Sequence, residues 1–191
     1  MKGAAYMNDS SKKIFTIPNI LSAFRICLIP VFMYLYIKQH DYKMTCAVLL
    51  ISGLSDTLDG FIARHFNMIS DLGKALDPIA DKLTQFAMLM CLVSRFPMML
   101  IPLLVLVVKE LCCGLTSLMV IKKTGVVLPA NWHGKLTTFL LYAMMCLHLV
   151  WINIPASVSY VTITVCTAVM LMSFVLYIMR NVHAMRSEHG V

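Results

Sequence analysis

Charged side chains are scarce in this chain. Only 13% of its 191 residues are Asp, Glu, Lys or Arg, whereas a soluble domain has about 25%, and 60% are hydrophobic. The sequence has no Gly/Ser-rich linker and no repeat, and its seven cysteines form no CxxC pair, so we interpret them as small buried hydrophobes. These absences exclude an ordinary soluble enzyme and predict an all-α integral membrane protein with a single membrane domain.

Long apolar runs take the place of the missing charge. Each is near the roughly 20 residues that a helix needs to cross a bilayer. The runs lie at 17–38, 44–66, 75–95, 97–121, 134–152 and 157–180. The sequence therefore predicts six transmembrane helices in a domain of residues 17–182. A polar segment at 1–16, either an interfacial helix or disordered, would precede it, and a tail at 183–191 would follow.

Basic residues gather at alternate ends of the apolar runs. One side includes the N-terminal lysines, the connections after the second and fourth runs, and the tail; its basic residues are Lys2, Lys12, Lys13, Arg64, Lys74, Lys122, Lys123, Lys135, Arg180 and Arg186. The other side has Lys38, Lys43 and Arg95. By the positive-inside rule both termini face the cytoplasm. The net charge of +7 favours an anionic lipid surface, and we expect no nucleic-acid partner.

Four of the nine acidic residues interrupt the apolar runs: Asp56, Asp59, Asp77 and Asp81. A carboxylate in hydrocarbon costs at least about 2.5 kcal/mol on insertion scales, so such a group indicates a functional site. Spacings of three and four residues place each pair on one helix face. Four carboxylates in one cavity repel one another unless hard cations neutralise them. The pattern therefore predicts a site for two Mg²⁺ or Mn²⁺ ions.

Two classes of membrane protein use such carboxylates. Cation transporters place them near the bilayer midplane, in corresponding positions of two repeated halves. Here all four flank one loop, roughly 10–14 Å from it at about 1.5 Å of helix rise per residue. Residues 97–191 contain only Glu110 and Glu188 as acids. The pattern favours an enzyme, acting on a donor with phosphate and a lipid tail, over an intramembrane cation transporter.

The aspartates belong to a longer pattern, D-x2-D-G-x2-A-R-x8-G-x3-D-x3-D. Its eight fixed positions are Asp56, Asp59, Gly60, Ala63, Arg64, Gly73, Asp77 and Asp81. This pattern resembles the signature of the CDP-alcohol phosphatidyltransferase family. Within that family, three further segments are similar to bacterial phosphatidylglycerophosphate synthases. They are residues 17–22 with Arg25, residues 76–83, and residues 132–135 with Thr138.

The resemblance implies a six-helix enzyme, usually a homodimer, in the plasma membrane of a bacterium with its active site facing the cytoplasm. An acceptor hydroxyl would attack the β-phosphate of CDP-diacylglycerol and release CMP. The metal ligands would be Asp56, Asp59, Asp77 and Asp81, and Asp81 would also act as the general base. The CDP-binding residues would be Asp56, Asp59, Gly60, Ala63, Arg64, Gly73 and Asn19.

The acceptor implied by the resemblance is glycerol 3-phosphate, which would give phosphatidylglycerophosphate. The cations that could bind its phosphate are Lys135, Lys109, Arg25 and Arg180. Two positions depart from the relatives, because Thr116 stands where they tend to have arginine and Thr137 where they tend to have lysine. Phosphatidylglycerol, which would give cardiolipin, and a small alcohol such as serine or inositol phosphate therefore stay open as acceptors.

Three other polar features have structural interpretations. Lys109 and Glu110 are adjacent and could form a buried ion pair instead of binding a ligand. His148, inside the fifth run, is typical of a residue that hydrogen-bonds between helices. Trp132 and His133 are typical of an interfacial anchor pair.

Overall fold

The computed structural model describes residues 17–65, 71–124 and 132–186, with side chains at 19–55, 76–123 and 132–184. The long helices in these residues are α1 (Ile17–Tyr34), α2 (Tyr42–His65), α3 (Asp71–Val93), α4 (Leu100–Thr124), α5 (Trp132–Val150) and α6 (Ala156–Arg186). A π-helical turn, Leu35–Gln39, follows α1, and a 3-10 turn, Pro97–Met99, precedes α4. No strand occurs in the described ranges, so the predicted all-α fold is confirmed.

Each long helix overlaps one predicted apolar run. Within the described residues, three segments are long and apolar enough to cross a membrane: Asn19–Gln39, Pro97–Lys123 and Ala156–Ala184. They identify an integral membrane protein. Six spans, the cytoplasmic termini and the domain bounds stay predictions. The alternatives for residues 1–16 lie outside the described residues.

The start of α2 shows how a helix terminus is satisfied locally. His40 has a left-handed backbone (φ 54°) and ends the π-helical turn. The Asp41 carboxylate then accepts a hydrogen bond from the backbone N–H of Met44 at 3.0 Å. Asp41 thereby caps an N–H group that has no partner within the helix.

Seven of the described hydroxyl groups along the helices are satisfied by their own backbone. They donate to the carbonyl four residues earlier, which is the usual arrangement for serine and threonine in an apolar helix. The residues with this bond are Thr45, Ser55, Thr84, Thr116, Thr137, Thr162 and Thr167. These polar side chains therefore need no partner on another helix.

The chain divides into two compact units, Met1–Cys91 and Leu92–Val191. In the first, α1 packs against α2, and buried core residues include Phe32, Leu49 and Met88. In the second, α6 packs against both α4 and α5. Met145 and Met170 are fully buried there. Each unit therefore has its own apolar core.

The prediction that His148 forms an interhelical hydrogen bond is confirmed. Its Nδ1 donates to the Met144 carbonyl at 2.8 Å, because a carbonyl oxygen can only accept. Nε2 forms a second hydrogen bond, with the Ser159 hydroxyl on α6, at 2.9 Å. The ring is fully buried and also packs edge-on against Phe96, with ring centroids 4.9 Å apart. It joins α5 to α6 at the end of α5.

Replacing Ser159 with alanine should therefore destabilise the second unit. We expect the free energy of unfolding to fall by about 1 kcal/mol, since interhelical hydrogen bonds in membranes contribute about 0.6–2 kcal/mol. SDS titration in mixed micelles, followed by circular dichroism, measures the loss. Thr162→Ala is the matched control, because the Thr162 hydroxyl bonds carbonyls of its own helix. Equal losses in the two variants would contradict the interhelical role.

Candidate functional site

The first half of the signature lies on the last turns of α2. Residues 56–64 are helical there, and Gly73 follows near the start of α3. The side chains of Asp56, Asp59, Ala63 and Arg64 lie outside the described ones. The structure therefore confirms the helical placement of this half of the signature, and its side-chain roles stay predictions.

The second half of the signature places two carboxylates on α3. Asp77 and Asp81 are four residues apart and so share one face of the helix. The Asp81 carboxylate accepts a hydrogen bond from Gln85 Nε2 at 2.9 Å, and its Oδ2 lies 3.5 Å from Lys82 Nζ. Gln85 is almost completely buried, at 1% exposed. The amide therefore holds one oxygen of Asp81 from the protein side.

Asp77 is paired with a cation from another helix. Arg25, on α1, places Nη2 2.5 Å from Asp77 Oδ1. The arginine side chain is 0% exposed and that of the aspartate 41% exposed. Asn19 and Ser22 are also buried on α1, six and three residues before Arg25, respectively. A buried polar stripe on α1 thus leads to the carboxylates of α3.

The predicted metal site is only partly visible. Among the described side chains, no group of three His, Cys, Asp or Glu residues could hold a metal ion. Two of the four predicted ligands, Asp56 and Asp59, are not among those side chains. The other two, Asp77 and Asp81, offer carboxylate oxygens, the donor type that Mg²⁺ and Mn²⁺ prefer. The donor chemistry therefore fits the predicted ions.

Three of the four predicted acceptor-binding cations lie in the second unit, where α6 packs against both α4 and α5. Lys109 of α4 is 8% exposed, and its Nζ lies 3.1 Å from Glu110 Oε1. The predicted ion pair between Lys109 and Glu110 is thus present. Arg180 of α6 lies over the Tyr177 ring, with Cζ 5.0 Å from its centroid. Lys135, in contrast, is exposed on α5.

His133 is a buried residue near Lys109 and Arg180, and the sequence did not predict this position. It is 5% exposed, and its Nδ1 lies 2.9 Å from the Ser173 hydroxyl of α6. Trp132, at 71% exposed, has the position expected of an interfacial anchor. The expectation was wrong for His133, because consecutive residues of a helix point in directions about 100° apart. The sequence signal that could have found this was the position of His133 next to Trp132: if the tryptophan faces outward, the neighbouring histidine points to a different side of the helix.

The charge around His133 is positive. His133 lies just before the apolar run 134–152, and its pKa is lowered from the ordinary 6.5, first by burial and then by the charges of Arg180 and Lys109. Lys109 and Arg180 therefore both lie near enough to act on His133. We call Lys109, His133 and Arg180 the cation cluster.

Neutral polar groups continue the contact between α4 and α6. Asn181 is fully buried and donates to the Thr116 hydroxyl at 3.0 Å. One turn away from Asn181, the Tyr177 hydroxyl lies 2.6 Å from the Ser117 hydroxyl. Thr116, where an arginine is usual in the similar synthases, is thus part of a neutral hydrogen-bonded seam. Thr137, the other departure, is buried and bonds its own helix.

Comparison with known proteins decides the family. A family model described as CDP-alcohol phosphatidyltransferase matches residues 15–179, most of the chain. The chain belongs to the CDP-alcohol phosphatidyltransferase family. The matched range includes the whole signature together with Lys109 and His133, and Arg180 follows directly after it. The family assignment therefore covers most of both units.

Named relatives fall into two groups. A cardiolipin synthase (CMP-forming) of Streptomyces coelicolor is 39% identical over 139 residues, 69% of this chain and 64% of the relative. Human cardiolipin synthase (CMP-forming) is 53% identical over 70 residues, 36% of this chain and 23% of the relative. A CDP-diacylglycerol--glycerol-3-phosphate 3-phosphatidyltransferase of Rickettsia typhi is 33% identical over 127 residues, 65% of this chain and 70% of the relative. The matched part of this chain thus spans less than two thirds of the length of either cardiolipin synthase.

The lowered pKa of His133 predicts that the stability of the protein depends on pH. Since the unfolded chain takes up this proton at a higher pH than the folded chain, the free energy of unfolding should decrease as pH falls below the ordinary 6.5. His133→Asn should remove that part of the decrease while keeping a partner for Ser173. SDS unfolding at about pH 8 and about pH 5.5 measures it.

The difference between the two pH profiles is the diagnostic quantity, because other titrating groups contribute equally to both proteins. A constant offset between wild type and His133→Asn at both pH values would contradict the buried, neutral state of His133.

Proposed function

We propose that the protein transfers a phosphatidyl group from CDP-diacylglycerol to an acceptor hydroxyl and releases CMP. The observation that carries this proposal is the pair of carboxylates, Asp77 and Asp81, held on one face of α3 within the family signature. Family membership supports this transferase over the cation transporter. The products would be phospholipids, so the enzyme would serve phospholipid biosynthesis.

The carboxylates would also hold the cofactor. Two Mg²⁺ or Mn²⁺ ions would bind Asp56, Asp59, Asp77 and Asp81, and the 41% exposure of the Asp77 side chain leaves it accessible to a cation. When bound, such ions supply positive charge beside the pyrophosphate and the leaving phosphate. The remaining signature residues, Gly60, Ala63, Arg64 and Gly73, would contact the nucleotide together with Asn19.

Asp81 would act as the general base. The acceptor oxygen forms a bond to the phosphorus that carries diacylglycerol, the bond from that phosphorus to the CMP oxygen breaks, and the hydroxyl proton passes to Asp81. The hydrogen bond from Gln85 holds Oδ2, so the carboxylate is oriented before substrate arrives. Orientation of this kind contributes to catalysis because the reacting groups need no rearrangement.

The proposed setting is the plasma membrane of a bacterium, with a homodimer whose active sites face the cytoplasm. Lys122 and Lys123 occupy the last turn of α4, at the end predicted to face the cytoplasm. The positive-inside rule supports that orientation. The bilayer would hold the acyl chains of the donor while its nucleotide reaches the carboxylates.

Glycerol 3-phosphate is the acceptor implied by the segments that flank the signature. The cation cluster supports an acceptor with a phosphate group, since Lys109 and Arg180 would both attract it. The Rickettsia relative is named for transfer to glycerol 3-phosphate. Transfer would then give phosphatidylglycerophosphate.

Phosphatidylglycerol is the second candidate acceptor, and specific observations favour it. Glu110 offsets one of the two cations, and the lowered pKa keeps His133 neutral near pH 7, so little positive charge remains. A phosphodiester with one negative charge fits that balance better than a phosphomonoester with nearly two. Thr116 and Thr137 add no charge, and the Streptomyces and human relatives are named as cardiolipin synthases.

A parallel acceptor assay tests the proposal. Purified protein in nanodiscs receives CDP-diacylglycerol and Mg²⁺ or Mn²⁺, with glycerol 3-phosphate, phosphatidylglycerol, serine or inositol 1-phosphate, and CMP release is measured. We expect metal-dependent CMP release with one of the first two acceptors, and loss of release with EDTA. No CMP with any acceptor would sink the transferase proposal, and release with serine alone would overturn the phosphate-bearing acceptor.

Asp81→Asn should lower CMP release by about 10²–10⁴-fold, because general-base catalysis contributes roughly that factor. The amide keeps the size of the side chain, so circular dichroism should show an unchanged helical fold. Thr84→Ala is the control on the same helix, since Thr84 is fully buried on α3 and bonds the Ala80 carbonyl of its own helix. Near-normal turnover of Asp81→Asn would remove Asp81 from the base role.

A further inference from the structure

Arg25 is the most deeply buried cation among the described side chains of the first unit. Its side chain has no exposed surface, although α1 is otherwise largely apolar. Arginine stays charged at all physiological pH values, so its burial is unfavourable unless a fixed negative charge lies beside it. The bond to Asp77 supplies that charge. An apolar residue at this position could fill the same space without the cost of burying a charge. The charged pair therefore indicates a functional role.

The two partners of this pair are exposed to very different extents. Arg25 is 0% exposed, whereas the Asp77 side chain is 41% exposed. The guanidinium therefore approaches the carboxylate from the protein interior and leaves its outer side accessible. The hydrogen bond engages Oδ1 rather than Oδ2. One oxygen of Asp77 is thus fixed from behind, while the other side of the group is open to a ligand.

This geometry differs from that of an acceptor-binding cation. A cation that binds a phosphate directs its N–H groups toward the ligand. Arg25 instead directs Nη2 to a carboxylate of its own protein, one of the residues predicted to bind metal. Ligands of metal ions are commonly oriented by such second partners.

We propose that Arg25 is a positioning residue, whose guanidinium fixes the orientation of the Asp77 carboxylate toward the divalent cation of the active site. The proposal rests on the proposed function, because it takes Asp77 to be a metal ligand. Arg25 also offsets one negative charge of the carboxylate group before metal binds. Lys82 has the corresponding position beside Asp81, with Nζ 3.5 Å from Oδ2, but it is 31% exposed and therefore less constrained.

Mn²⁺ binding by the full-length protein tests this role without any substrate. Electron paramagnetic resonance of free Mn²⁺ gives the affinity of wild type, Arg25→Lys, Arg25→Gln and Arg25→Gln/Asp77→Asn. We expect both single variants to weaken Mn²⁺ binding by about 10–100-fold, the usual effect of losing a residue that orients a metal ligand. The double variant removes both charges of the pair and should fold even where Arg25→Gln does not, with Mn²⁺ binding no tighter than in Arg25→Gln.

Kinetics separate positioning from acceptor binding. In Arg25→Lys, the Mn²⁺ concentration for half-maximal CMP release should rise in parallel with the loss of affinity, and saturating Mn²⁺ should restore most of kcat. The KM for the acceptor should be unchanged. A raised acceptor KM with normal Mn²⁺ affinity would overturn the positioning role and return Arg25 to the acceptor site.

Phe32→Leu is the control for simple damage to α1, because Phe32 is fully buried on the same helix. It should lower stability without changing Mn²⁺ affinity; an equal loss of affinity would contradict a specific role for Arg25. Wild-type protein that binds no Mn²⁺ would also overturn the proposal. Arg25-dependent Mn²⁺ binding without CMP release from any acceptor would support the positioning role and contradict the transferase proposal instead.

Discussion

The ion pair between Arg25 and Asp77 is the interaction on which the first unit depends. A guanidinium without exposed surface is stable in an apolar helix pair only beside a fixed negative charge. The pair joins α1 to α3 across 52 residues of sequence. It therefore fixes a carboxylate of the signature in space and connects the apolar packing of the helices to the chemistry of the site.

In the second unit, too, each buried basic group needs compensation for its charge, but the compensation takes other forms. Lys109 is offset by Glu110, Arg180 lies over the Tyr177 ring, and His133 avoids charge because burial and its cationic neighbours lower its pKa. Several hydroxyls, such as those of Thr137 and Thr162, donate to a carbonyl of their own helix. Buried polar groups that cannot do so pair across helices, as Asn181 does with Thr116. These polar contacts therefore add specificity to the apolar packing of the helices.

The helix positions and the family were predictable because each depends on residues that are close together in the sequence. Apolar runs of spanning length anticipated all of the long helices in the described ranges, and the eight-position signature anticipated the family that the match to residues 15–179 shows. The acceptor is different. Its identity depends on the net charge of residues from three helices. The effect of a neutral residue such as Thr116 can be interpreted only once its partner, Asn181, is known.

The sequence by itself determined the membrane class, the helices, the family and the position of the carboxylates along the chain, because hydrophobic length and fixed spacing act within one segment. Only the tertiary structure decided that Arg25 faces Asp77 and that His133 turns inward to Ser173. Periodicity says which residues share a face of one helix but not which other helix that face meets. The partner of a buried charge is set by packing between helices, and packing exists only in the folded chain.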